Sequence, residues 1–135
     1  MTTPTQHKTE SGFTLIELMV VMLIIGVLMA IAVPNYISAI KAAKESVLKE
    51  DLHVMRNAID SYTMAKQKAP QSLQDLVDSG YLKAIPQDPM TRATDTWAVD
   101  QSDTLHSIDQ SDPGIDDVHS GDQELGSDGQ PYSTW

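Results

Sequence analysis

From Phe13 to Val33 the chain runs for 21 residues with scarcely a polar side chain, and Pro34 closes the run. A helix of that length, rising about 1.5 Å per residue, is roughly 30 Å long, the thickness of the hydrocarbon core of a bilayer. The segment is read as a membrane span. Glu17 departs from it. One turn inside the apolar run, an ionised side chain costs on the order of 3 kcal/mol and is present for a functional reason. Its carboxylate needs a cation, and cutting the chain between Gly12 and Phe13 makes one. The new α-amino group at Phe13 lies one helical turn from Glu17, where it pairs with Glu17 of its own chain or of a neighbour. A small-residue cleavage site before the apolar run reverses the order of a secretory signal peptide, so the span stays with the mature chain.

The stretch Ser11-Gly12-Phe13-Thr14-Leu15-Ile16-Glu17-Leu18 resembles the class III signal of type IV pilins and type II secretion pseudopilins. That resemblance implies a prepilin peptidase that cuts after Gly12 and N-methylates Phe13. It also implies that Glu17 pairs with the N-terminus of an adjacent subunit in a helical filament, a homopolymer of this chain. Residues 1–12 are then a cleaved leader, in which Lys8 and His7 supply positive charge and Glu10 offsets part of it. Residues 13–34 form the transmembrane helix that becomes the filament core. Gly26 and Pro34 weaken that helix. By the same resemblance, Gly26 to Pro34 is the segment that melts when a subunit leaves the membrane; a kink tolerated in lipid is the other reading.

The remaining chain, 35–135, has room for one small domain. From Asn35 the pattern changes to a stripe: Tyr36, Ile37, Ile40, Ala43, Val47, Leu48, Leu52, Met55, Ile59 and Tyr62 recur at steps of three and four. This predicts an amphipathic helix over 35–66, continuous with the span, with Lys, Glu, Asp and Arg on its other face and an end before Pro70. A rod of about fifty residues would be roughly 75 to 80 Å long. His53 has no companion at ligand spacing and is read as a surface side chain. Ser72 to Gly80 carries a capping box, Ser72 with Asp75, and a Gly stop, which predicts a short helix. Strands are expected at Thr96–Val99 and Thr104–Ile108, with a third around Asp117–His119. The sum is an α+β head packed on the long helix.

The net charge of -10 is uneven. Basic residues outnumber acids between Pro34 and Ala69, whereas no Lys or Arg follows Arg92. Such a tail repels nucleic acid, whose binding needs Lys and Arg. It either stays solvated or holds cations. There is no cysteine, so a disulfide cannot close the C-terminal loop as it does in many type IV pilins. Gly80-Tyr81-Leu82-Lys83, Ile85-Pro86, Asp88-Pro89 and a tail with Asp117-Val118, Leu125-Gly126, Asp128-Gly129 and Trp135 are similar to the major pseudopilin family of type II secretion, with extra residues at Gly121 to Glu124. That resemblance implies a type IV pilin-like fold and a structural Ca²⁺ in the tail, 109–135. Its ligands would be Asp117, Asp128, Ser133 and the carbonyl of Leu125, with Ser120 and Asp122 as substitutes. Calcium takes six to eight oxygens, and the tail offers them densely, although it lacks the EF-hand order.

Neither Gly-x-Ser-x-Gly nor His-Glu-x-x-His nor a Gly-rich phosphate loop is present, and His106 and His119 read as surface residues. The expectation is therefore a structural subunit of a secretion pseudopilus, held in the bacterial inner membrane with its head in the periplasm. The partners implied by the resemblance are membrane lipid before assembly, the prepilin peptidase, minor pseudopilins and an inner-membrane assembly platform. A type IV pilin or minor pseudopilin shares the N-terminus, and a membrane-anchored enzyme or calcium-binding domain would use the span only as a tether.

Overall fold

The computed structural model describes residues 1–2, 11–102, 108 and 113–135. The element order is α1 (Leu15–Lys66), α2 (Leu73–Asp78), β1 (Ala98–Gln101), β2 (Ile115–His119) and a short 3₁₀ turn at Tyr132–Thr134. The chain divides into two compact units, Met1–Ala39 and Ile40–Trp135.

In the first unit Thr14 is the N-cap of α1. Its hydroxyl accepts a hydrogen bond from the Glu17 N–H at 3.2 Å, and its carbonyl accepts the first helical bond, from Leu18 N–H at 3.2 Å. Every residue of the unit that carries part of the apolar run is exposed, and the helix is long and apolar enough to cross a membrane. Both Gly26 and Pro34 lie inside continuous helix. Pro34 has no N–H to give, so the Ala30 carbonyl lacks its usual i+4 donor.

The second unit has one core. Leu48, Leu52, Met55, Ala58, Ile59 and Tyr62 of α1 pack with Leu76 of α2, Leu82, Trp97, Ile115, Val118 and Tyr132. The core stripe is shorter than the sequence pattern. Tyr36, Ile37, Ile40, Ala43 and Val47 are exposed. The capping box forms as expected: the Asp75 N–H bonds Ser72 Oγ, and the Asp75 carboxylate accepts the Ser72 N–H. At the other end Gly80, at φ +79°, closes a Schellman motif: Tyr81 N–H bonds the Leu76 carbonyl and Gly80 N–H the Val77 carbonyl.

β1 and β2 form a two-stranded antiparallel sheet, with Ala98 opposite His119, Val99 opposite Val118, Asp100 opposite Asp117 and Gln101 opposite Ile115. The first strand lies two residues later than Thr96–Val99. Trp97 is buried instead, its Nε1 donating to the Pro86 carbonyl at 2.8 Å, and β2 ends at His119, so Thr96 has no strand to pair with. The register shift makes Asp116 an extra residue. This bulge places Ile115 and Val118 both inward although they are three apart. The strand expected at Thr104–Ile108 lies outside the described residues except for Ile108, which is in a turn.

Candidate functional site

Two places carry the residues singled out by sequence. At the head of α1, Ser11, Gly12, Phe13 and Glu17 line one hollow of about 230 Å³. Gly12 and Phe13 precede the first helical residue, and Phe13 is 87% exposed. The Gly12–Phe13 junction is therefore exposed and outside the helix, while Glu17 sits on the first turn beside it. Thr14 places Glu17 there by capping.

The second place is the C-terminal segment against α1. Charged residues of α1 that the sequence pattern sets on the face opposite the apolar stripe form a polar row that grips this segment. Lys41 Nζ donates to the Leu125 carbonyl at 3.0 Å. Glu45 is buried and accepts three hydrogen bonds, from Ser127 N–H at 2.9 Å, Ser127 Oγ at 2.6 Å and the Tyr132 hydroxyl at 2.8 Å. Lys49 lies over the Trp135 ring, 4.6 Å from its centroid. Arg56 donates through Nε to Asp117 at 2.6 Å, and through one terminal nitrogen to the Val118 carbonyl at 3.0 Å and the Trp135 main-chain oxygen at 2.7 Å. His119 is also part of this cluster and not a free surface residue. Its Nδ1 faces the Trp135 oxygen at 2.6 Å and its Nε2 faces Asp100 at 3.1 Å. Sequence reasoning passed over Glu45 and Arg56. The available signal was the four-residue spacing of Lys41, Glu45 and Lys49, which puts three charges on one helical row.

The segment they hold is a tight turn. Gly129 N–H bonds the Gly126 carbonyl, Gly126 N–H bonds the Gln130 carbonyl, and Leu125 bridges to Pro131. A Cβ on Gly126 would collide with the Trp135 ring. Tyr132 and Trp135 meet edge to face, with ring centroids 5.0 Å apart.

Charge states follow from these contacts. Burial by itself raises the pKa of Glu45, but the bonds from Ser127 and Tyr132, with Lys41 nearby, outweigh it, and its carboxyl titrates below the ordinary value of 4.5. Asp117 behaves in the same way: burial raises it, but Arg56, the Val118 N–H and His119 outweigh that rise and hold it below the ordinary 3.8. Burial and the Glu45 carboxylate push the Tyr132 hydroxyl up to about 12. Asp51 moves up from 3.8 through burial and the charges of Asp88 and Glu50.

The expected calcium ligands are distributed differently from a coordination shell. Asp117 is paired with Arg56, and the Leu125 carbonyl faces an ammonium. The Ser120 hydroxyl donates to buried Asp88 at 2.6 Å, and the Ser133 hydroxyl donates to Gln123 at 3.2 Å. Asp122 and Asp128 each accept a backbone N–H two residues on, from Glu124 and Gln130. Among the described residues no three Asp, Glu, His or Cys side chains come together as a metal-holding group. A six- to eight-oxygen anionic cage does not fit this arrangement.

A family model described as "Prokaryotic N-terminal methylation motif" matches residues 7–33. The chain is 30% identical to the type II secretion system core protein G of Aeromonas hydrophila, over 90% of this chain and 94% of that protein. It is 31% identical to the protein of the same description from Klebsiella pneumoniae, over 93% and 91%. It is 38% identical to that from Pseudomonas aeruginosa, over 62% and 70%. No solved structure matches.

Proposed function

The chain belongs to the type II secretion system core protein G family, and from that membership we propose that it is a structural subunit of the type II secretion pseudopilus. It polymerises through its N-terminal helix, and growth of the fibre drives protein export across the outer membrane. Before assembly the apolar run anchors the chain in the inner membrane, with the head on the periplasmic side. The prepilin peptidase frees and methylates Phe13, and the assembly platform and minor pseudopilins are the partners of fibre growth. The work is mechanical and needs no catalytic group.

The observation that carries this reading is the juxtaposition at the start of α1: an exposed Gly12–Phe13 junction and an acid on the first turn of a fully exposed apolar helix. An isolated carboxylate in lipid is costly, and a neighbouring chain's new amine neutralises it only when copies stack. Mass spectrometry of protein recovered from membranes is expected to show an N-terminus at N-methylated Phe13. Glu17→Ala is expected to leave membrane insertion intact and abolish fibres. Retention of residues 1–12 in the mature protein, or normal fibres from Glu17→Ala, would overturn it.

A further inference from the structure

We infer that the acidic C-terminal segment of this chain is closed by the chain's own cations on α1 and not by calcium. Among the ligands that the resemblance implies for calcium is the Leu125 carbonyl, and that oxygen already faces the Lys41 ammonium at 3.0 Å. Seating Ca²⁺ on the same oxygen would set two cations within a few ångströms of each other, which repels strongly.

The carboxylates have other partners as well. Both Glu45 oxygens accept hydrogen bonds, from Ser127 and Tyr132, which occupies that side chain where it is buried. The Asp117 oxygen nearest the helix is held by Arg56 at 2.6 Å. Three cations on one face of α1, Lys41, Lys49 and Arg56, thus stand where a metal-bound loop would hold an ion. Each touches a different part of the segment: the Leu125 carbonyl, the Trp135 ring, and the Asp117 carboxylate with the Trp135 oxygen. The arrangement serves the purpose of a staple in a head that has no disulfide, and it needs no dissolved ion. This inference is independent of fibre assembly.

The test uses the full chain in detergent, stripped with a chelator. Calorimetric titration with CaCl₂ and the thermal midpoint of the head, followed by near-ultraviolet circular dichroism, are read with and without calcium. The expected result is no stoichiometric binding and a midpoint unchanged within about 1 °C. Lys41→Met is expected to lower the midpoint by roughly 3–6 °C, and Lys41→Arg, which retains the donor, to restore most of it. One-to-one calcium binding by the unaltered chain, or a midpoint that rises several degrees with calcium, overturns the inference. So does a Lys41→Met midpoint equal to that of the parent. Should Lys41→Met fail to accumulate, the calcium measurements on the parent chain and on Lys41→Arg decide alone.

Discussion

Glu45 and Tyr132 illustrate how one side chain sets the behaviour of another. Glu45 is a carboxylate buried on a helix face, and such a group is tolerated only when hydrogen bonds replace the water it loses. Ser127 and Tyr132 supply them. Removing one of these donors leaves the acid partly bare, a loss of about 1–3 kcal/mol. The Tyr132 hydroxyl titrates at about 12 against an ordinary 10.0, so the folded state holds that proton more tightly than the unfolded chain. Its contribution is complete below pH 10 and is lost as pH rises through about 12. An alkaline unfolding step in that window is expected, and in Tyr132→Phe the step should disappear while neutral-pH stability falls. Denaturation curves at pH 9 and pH 11.5 for both proteins check it.

Among the elements, α2 is the most completely specified by local chemistry. Its capping box and its Gly stop were legible in Ser72, Asp75 and Gly80, since both devices depend on residue type at fixed offsets and need no distant partner. Gly80→Ala forces a Cβ into a backbone at φ +79° and should cost about 1 kcal/mol, read as a lower urea midpoint with an unchanged slope. The span was equally legible, from length and apolarity. The strands were less so. Ala98–Gln101 is exposed throughout, so no alternation marks it, and the extra Asp116 breaks the period in β2. The role of α1's charged row was hidden for a related reason. Lys41, Glu45, Lys49 and Arg56 look like a solvated face until the tail is folded onto them, and that pairing joins residues 61 to 87 positions apart.

For the molecule as a whole, the acid side of the stability curve follows from these pairs. Glu45 and Asp117 titrate below 4.5 and 3.8 in the folded head, so the stability they confer is present above those ordinary values and is lost as pH falls through the lower, folded ones. Asp51, raised by burial and its acidic neighbours, works in the opposite sense and regains a little stability on protonation. The expected outcome is a head that loosens below about pH 4, and Arg56→Ala, which releases Asp117, should move that loss to higher pH; melting curves between pH 3 and 6 follow the change. The long reach of the tail contacts has a further consequence, in time. A ribosome delivers α1 well before the segment from Asp117 to Trp135, so the charged row of α1 is made before its partners. The packing of α1 is completed only when the segment from Asp117 to Trp135 reaches Lys41, Glu45, Lys49 and Arg56, so the head closes on contacts between residues far apart in sequence.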